Sequence, residues 1–320
     1  MHQPAIISAN NISLLKNNWW AFRDISLDIA AGHVYAIFGR VDSGISELLD
    51  VLAQEIPPTK GSIVKSEASA KLDLIKHDFN HRIFQSLLNR KATLSKVIES
   101  YQYNLRERLK GSPSAIFTEN PFLGLSLGER EELISLFKDF CRKRNGSVVF
   151  TTSDFQDCFA AADVVFVFDK GYLWQSGSPK EIYEAPESPH IAALTGAVNL
   201  IKARRLTSSK SENPEFQTID GNHRIFTGKH NLSKLGAINR DITLAIRPEQ
   251  ITLNSGSSFP EDNLLRAVLT AITFRGSYTE VQLDCNGLLL KAFVPRLVGL
   301  NTGDECVIGL PRERILILGN

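Results

Sequence analysis

Long apolar runs, paired cysteines and an excess of either charge are all missing from this chain of 320 residues. No stretch reaches the roughly 18 consecutive apolar residues that suggest a membrane span, so any membrane association has to come through a partner. The opening MHQPAIISANNISLL has no basic start followed by a long apolar core, and a secretory leader is not expected. Lysine and arginine number 36 against 35 acidic residues, a balance that leaves no electrostatic footprint for nucleic acid or an anionic lipid surface. The four cysteines, Cys141, Cys158, Cys285 and Cys306, are too scattered for a zinc site or a disulfide framework. A reducing cytosol is the expected setting.

What the chain does have is 43% hydrophobic residues, enough to build more than one core. AGHVYAIFG reads as a buried strand entering a glycine loop, and SELLDVLAQEI after it has helical spacing. PPTKGSIV gives a turn and a short strand, and KVIESYQYNLRERLK has the composition of a helix. The strand SAIF follows. REELISLFKDFCRKRNG is amphipathic and ends in a basic turn and a glycine, a helix stop before the β-rich SVVFTTS and VVFVFDKG. Alternating strands and helices predict an open α/β sheet. Beyond GAVNLIKARRL the composition shifts to Ser, Asn and Gly with short strands such as ITLAI, RAVLTAI, TEVQLDC and VIGL, an all-β signature. The predicted domains are therefore 1–200 and 201–320, with a polar loop around Ser208 to Glu215 and no tandem repeat.

GYLWQSGSPKEIYEAPESPHIAALTGAVNL, Gly171 to Leu200, resembles the segment that ends the ATPase domain of ATP-binding-cassette (ABC) importers for maltose, spermidine, sulfate and ferric iron. LAIRPEQITL, residues 244–253, is similar to the core of the transport-associated oligonucleotide/oligosaccharide-binding-like (TOBE) domain that this family carries at its C-terminus. The resemblance implies an α/β, P-loop ABC ATPase-like domain with a reduced helical subdomain, followed by a small all-β, OB-like TOBE domain.

That resemblance also shows what has been replaced. GRVDSGIS, Gly39 to Ser46, stands where the family has its P-loop, G-x-x-x-x-G-K-[ST], and keeps Gly39, Gly44 and Ser46, with Ser43 a further nucleotide-binding candidate. Such glycines let backbone N–H groups and the following helix N-terminus face phosphate, while the hydroxyl can ligate Mg²⁺. Ile45 stands in place of the lysine whose ammonium offsets phosphate charge, and Asp42 adds a carboxylate that repels it. Gln85 lies 40 residues after Ile45, where the Q-loop glutamine that senses Mg²⁺ would fall. The adenine-stacking aromatic belongs near Lys16, which makes Trp19 and Trp20 displaced candidates, better read as packing residues.

SAIFTENPFLGLS resembles the Walker B strand and D-loop: Glu119 replaces the magnesium-binding aspartate, Asn120 the catalytic glutamate and Ser126 the D-loop aspartate. A neutral amide at residue 120 cannot act as a general base. FTTSDFQDCFAAAD matches the switch segment with Ser153 in place of its histidine, and a hydroxyl cannot reproduce imidazole proton chemistry. Only 34 positions separate Gln85 from Glu119, far fewer than the family pattern implies, and no L-S-G-G-Q signature occurs; LSLG at 125–128 follows the Walker B strand and does not substitute for it. Glu119, Ser46 and Gln85 remain the candidate Mg²⁺ ligands, with weak or absent binding of ATP and Mg²⁺ expected. His77 and His81, flanking Asp78 at helical spacing, lack a further ligand and read as a solvated face. Arg247 and Glu249 are regulatory-domain candidates expected to hold the β-domain together.

The resemblance thus implies a non-hydrolysing structural or regulatory subunit of a solute importer. It would be peripheral on the cytoplasmic face of the inner membrane, with an integral-membrane permease and a complete ATPase subunit as partners, in a homo- or heterodimer and without nucleic acid. An ATPase working with unusual side chains, and a cytosolic ligand-sensing scaffold, are the alternatives.

Overall fold

The computed structural model describes residues 5–40, 42–67, 70–76, 91–206, 214–228, 238–254 and 263–318. They form two compact units, Met1–Ile182 and Tyr183–Asn320. The change of composition near residue 200 falls inside the second unit. Among the described residues no helix is long and apolar enough to cross a membrane.

The first unit contains two sheets. β1 (Ala5–Lys16), β2 (Trp19–Ala30) and β4 (Lys60–Lys65) form an antiparallel sheet ordered β2-β1-β4. β3 (Val34–Gly39), β5 (Leu72–Ile75), β6 (Ala115–Glu119), β7 (Ser147–Thr152), β8 (Val164–Asp169) and β9 (Tyr172–Gly177) form a second sheet, ordered β5-β6-β7-β3-β8-β9 and parallel except for β9. β3 and β7 are buried at every position, as strands of a parallel sheet covered on both faces are; β3 is apolar up to its closing glycine, whereas β7 also buries the hydroxyl residues Ser147, Thr151 and Thr152. Tyr35, Ile37, Phe117, Val149 and Phe166 join one core with α1 (Ile45–Leu52) and the antiparallel sheet. On the other parity, Phe150 meets Phe122 and Phe137, and Phe38 meets Phe155, which come from or flank α3 (Leu127–Arg144) and α4 (Phe155–Ala161).

The sequence places a stop for α3 at glycine. The left-handed residue that ends the helix is instead Asn145, at φ 53°. Gly146 serves packing, because a Cβ there would lie 2.4 Å from the Phe140 ring. Between β5 and β6, α2 (Lys91–Lys110) lays Tyr101 and Gln102 on the end of β6. The Tyr101 hydroxyl bonds Thr118 Oγ1 and donates to the Glu119 carbonyl at 2.9 Å, and Gln102 donates to the Pro121 carbonyl at 2.7 Å. Burial pushes the Tyr101 phenol well above its ordinary range, which keeps it a neutral donor.

The second unit starts within α5 (Pro179–Glu184) and continues through α6 (Pro189–Leu194). It then forms β10 (Asn199–Arg205), β11 (Glu215–Thr218), β12 (Arg224–Phe226), β13 (Asp241–Ile246), β14 (Thr252–Asn254), β15 (Asn263–Phe274), β16 (Thr279–Cys285), β17 (Leu288–Val294), β18 (Glu305–Leu310) and β19 (Leu316–Leu318). Two five-stranded antiparallel sheets, β12-β11-β10-β13-β19 and β14-β18-β15-β16-β17, share one core of residues such as Phe216, Leu244, Leu269 and Leu283. β10 and β15 bury alternate side chains, the period-2 pattern of a sheet with one wet face.

Removing the buried phenolic hydroxyl tests how firmly α2 is seated. Tyr101→Phe is expected to lower stability by about 1–2 kcal/mol in urea unfolding, since Thr118 and the Glu119 carbonyl lose a partner away from water.

Candidate functional site

The glycine loop leaves β3 at Gly39 and enters α1 through Gly44, which sits at φ 93° and ψ 11°. Both glycines are enforced by backbone crowding. A Cβ on Gly39 would lie 2.4 Å from the Phe168 carbonyl oxygen, and one on Gly44 would lie 2.3 Å from that of Ala21. Ser43 folds the turn on itself, its N–H and hydroxyl both donating to the Arg40 carbonyl at 3.0 and 2.5 Å. Gly171 then donates to the Ser43 carbonyl at 3.2 Å.

Ile45, which stands where the resembling P-loop pattern has its lysine, is 3% exposed and packed in the core with Leu48 and Leu49. Asp42 is exposed and lies 3.6 Å from Arg40, a surface pair of little energetic weight. Ser46, in the first turn of α1, donates its hydroxyl to Glu119 at the end of β6. Of the loop candidates, Gly39, Ser43, Gly44, Ile45 and Ser46 therefore share one turn, and Glu119 is brought to it.

Asn120 follows Glu119 in the left-handed region at φ 42°, with its N–H directed at the Thr151 carbonyl and hydroxyl at 3.1 and 3.2 Å. Asparagine tolerates that conformation better than most residues. Ser126 is the N-cap residue of α3, where its N–H and hydroxyl donate to Glu129 at 2.8 and 2.5 Å. Those bonds hold the Glu129 carboxyl below its ordinary range. Ser153 lies on the exposed bend after β7. Beside it, Thr152 donates to Asp157 at 2.8 Å, and Arg130 reaches the same carboxylate at 2.8 Å. Burial raises the Asp157 carboxyl despite both partners.

Trp19 faces Lys16 and Trp20 faces Leu15 across the β1–β2 ladder, while the Lys16 ammonium reaches Glu47 at 3.0 Å. The Trp20 ring is approached by Arg23 at 5.2 Å and Lys60 at 5.4 Å. It lines an open cavity of about 170 Å³ with Phe22, Arg23, Lys170, Gly171 and Tyr172. Gln85, His77, Asp78 and His81 lie outside the described residues.

A residue that sequence spacing passed over belongs to this site. Lys76 directly follows β5, and its ammonium lies 2.5 Å from Asp50 and 3.4 Å from the Ser46 carbonyl. The signal that could have found it is the strand itself: LDLI pairs in parallel with AIFT, which places the next residue level with Glu119.

In the second unit, Arg247 is buried and makes five hydrogen bonds. Nη1 donates to the carbonyls of Ala192, Gly196 and Ala197 at 2.8, 3.2 and 3.1 Å; Nη2 donates to the Tyr183 carbonyl and Thr195 Oγ1, both at 3.0 Å. The guanidinium thus closes the carbonyl end of α6, where a cation also complements the helix dipole. It stacks 3.9 Å from the centre of the Tyr183 ring, and that phenol donates to Glu249 at 2.7 Å. Burial lowers the Arg247 guanidinium and raises the Tyr183 phenol. Arg247 and Glu249 thereby clamp one tyrosine between them.

Residues 22–145 match the family model of the ABC transporter, and residues 244–318 match that of the TOBE domain. Among solved structures the chain is similar to cbiO1 from Clostridium perfringens, part of the ABC transporter complex cbiONQ, at 17% identity over 57% of this chain and 92% of that one, with a TM-score of 0.44. A second similar structure is an inward-facing ABC transporter designated metal-chelate type, at 19% identity over 69% of this chain and 97% of that one, also with a TM-score of 0.44.

The Arg247 clamp predicts an asymmetry between its two charged members. Arg247→Lys is expected to destabilise the Tyr183–Asn320 unit by roughly 2–3 kcal/mol, because an ammonium cannot reproduce the planar fork. Glu249→Gln should cost under about 1 kcal/mol in the same denaturation assay, since its pair with Tyr183 is exposed.

Proposed function

The chain belongs to the ABC transporter ATP-binding subunits that carry a TOBE domain, and from that premise we propose that it is a non-hydrolysing structural or regulatory subunit of a solute importer. It docks on a membrane-embedded permease from the cytoplasmic side and pairs either with itself or with a complete ATPase. The observation that carries this reading is the placement of Ile45. Phosphoryl transfer to water needs cationic groups on the phosphates and a residue that positions or deprotonates the nucleophile. Here the loop position that would present an ammonium instead sends a branched apolar side chain into the core. The strand-end position that would present a carboxylate holds Asn120, whose side chain has no useful basicity.

The phosphate end of the site is also poor in positive charge. Among the described residues, Arg40 is matched by Asp42, Lys16 by Glu47 and Lys76 by Asp50, while Glu119 adds a carboxylate bonded to Ser46. A triphosphate meeting that set gains little Coulomb attraction, which favours weak nucleotide binding or none.

Purified full-length protein supplied with Mg²⁺ and ATP is expected to release phosphate no faster than the buffer alone. Asn120→Glu should not raise that rate, because a restored carboxylate still faces a loop without its lysine. Turnover at the pace of an ordinary transport ATPase would sink the reading. Affinity purification from gently solubilised membranes should recover a permease; recovery of the chain alone from the soluble fraction would favour a free ligand-sensing protein instead.

A further inference from the structure

Mg²⁺ requires near-octahedral oxygen coordination at about 2.0–2.1 Å. The described residues offer it one hydroxyl, Ser46, and one strand-end carboxylate, Glu119, and these two are already bonded to each other. No group of three or more His, Cys, Asp or Glu side chains suited to a metal occurs among the described residues. Among the described residues, Mg²⁺ would have to break the bond between Ser46 and Glu119 and draw most of its ligands from water or phosphate.

A different cation is already there. The parallel ladder pairs Ile75 with Thr118, so Lys76 stands level with Glu119 at the carboxyl ends of neighbouring strands. Its ammonium contacts Asp50 Oδ1 and the Ser46 carbonyl. A chain of contacts therefore runs from Asp50 through Lys76 and Ser46 to Glu119, joining β5, α1 and β6. The Lys76 and Asp50 side chains are only 27% and 24% exposed, so water screens this pair less than it screens Arg40 and Asp42, at 70% and 81%. Lys16 and Arg40 are engaged with Glu47 and Asp42, which leaves this position to Lys76 among the described residues. An ammonium so placed would also repel an incoming divalent ion.

We propose that Lys76 is the resident cation of the site: its ammonium stands in electrostatically for Mg²⁺, holds the first turn of α1 to the ends of β5 and β6, and makes this face indifferent to divalent metal. The inference rests on the non-hydrolysing reading and gives it a mechanism, a fixed side-chain charge where a transport ATPase has an exchangeable ion.

The test uses thermal unfolding of the full chain in EDTA and in millimolar MgCl₂, with Mn²⁺ binding followed by electron paramagnetic resonance. The wild type should unfold at the same temperature in both buffers and leave Mn²⁺ free. Lys76→Met should unfold about 5 °C lower in EDTA, regain at least half of that loss in MgCl₂ and bind Mn²⁺. The double variant Lys76→Met with Asp50→Asn should be indifferent to Mg²⁺ again. If the single variant does not fold in EDTA, refolding in MgCl₂ gives the same readout. A wild type that is stabilised by Mg²⁺, or a Lys76→Met protein that Mg²⁺ does not rescue, overturns the proposal. ATP turnover by the wild type is measured separately and would overturn the subunit reading whatever the thermal result.

Discussion

The loop between β3 and α1 is held by backbone contacts within its own unit, and the rest of that unit is arranged around this constraint. Phe168 crowds Gly39 from β8, Ala21 crowds Gly44 from β2, and Gly171 bonds Ser43 from the turn before β9. Each contact is backbone to backbone, so none depends on a phosphate being present. With the turn fixed in this way, α1 starts at a set point and delivers Ile45 to the core and Ser46 to Glu119. The same crowding makes the surviving glycines weak evidence of nucleotide binding, because the fold requires them in any case.

On the proposed reading, positions that carry chemistry in the resembling family serve ordinary folding roles here. Ile45 fills a core, Asn120 accommodates a left-handed turn, and Ser126 starts a helix with Glu129 as its partner. Folding sets lower demands than catalysis at such positions: it asks for volume, backbone tolerance or a hydroxyl, each of which several residue types can supply. A site can therefore lose its reaction group by group while the surrounding packing stays consistent.

Much of this was legible in the sequence. The apolar runs of β3 and β8 and the alternation of β10 and β15 to β17 report burial directly, because strand period and burial are one geometric fact. The Ile45 and Asn120 substitutions were visible as letters, although only packing shows that Ile45 points inward. Spacing along the chain from Ile45 does not mark Lys76, because its position is set by the pairing of β5 with β6. The clamp of Arg247 on Tyr183 was equally hidden, since the two residues are 64 positions apart and neither belongs to a pattern of fixed period.

That clamp determines where the polypeptide can be divided. Every group bonded to the Arg247 guanidinium lies between Tyr183 and Ala197, in a segment whose sequence resembles the end of an ATPase domain. A β-rich fragment begun at residue 201 would strand a buried charge with none of its acceptors, whereas one begun a few residues before Tyr183 would carry all of them. The seam suggested by composition and the seam permitted by buried hydrogen bonding are different places, and only the second respects the desolvation of a guanidinium.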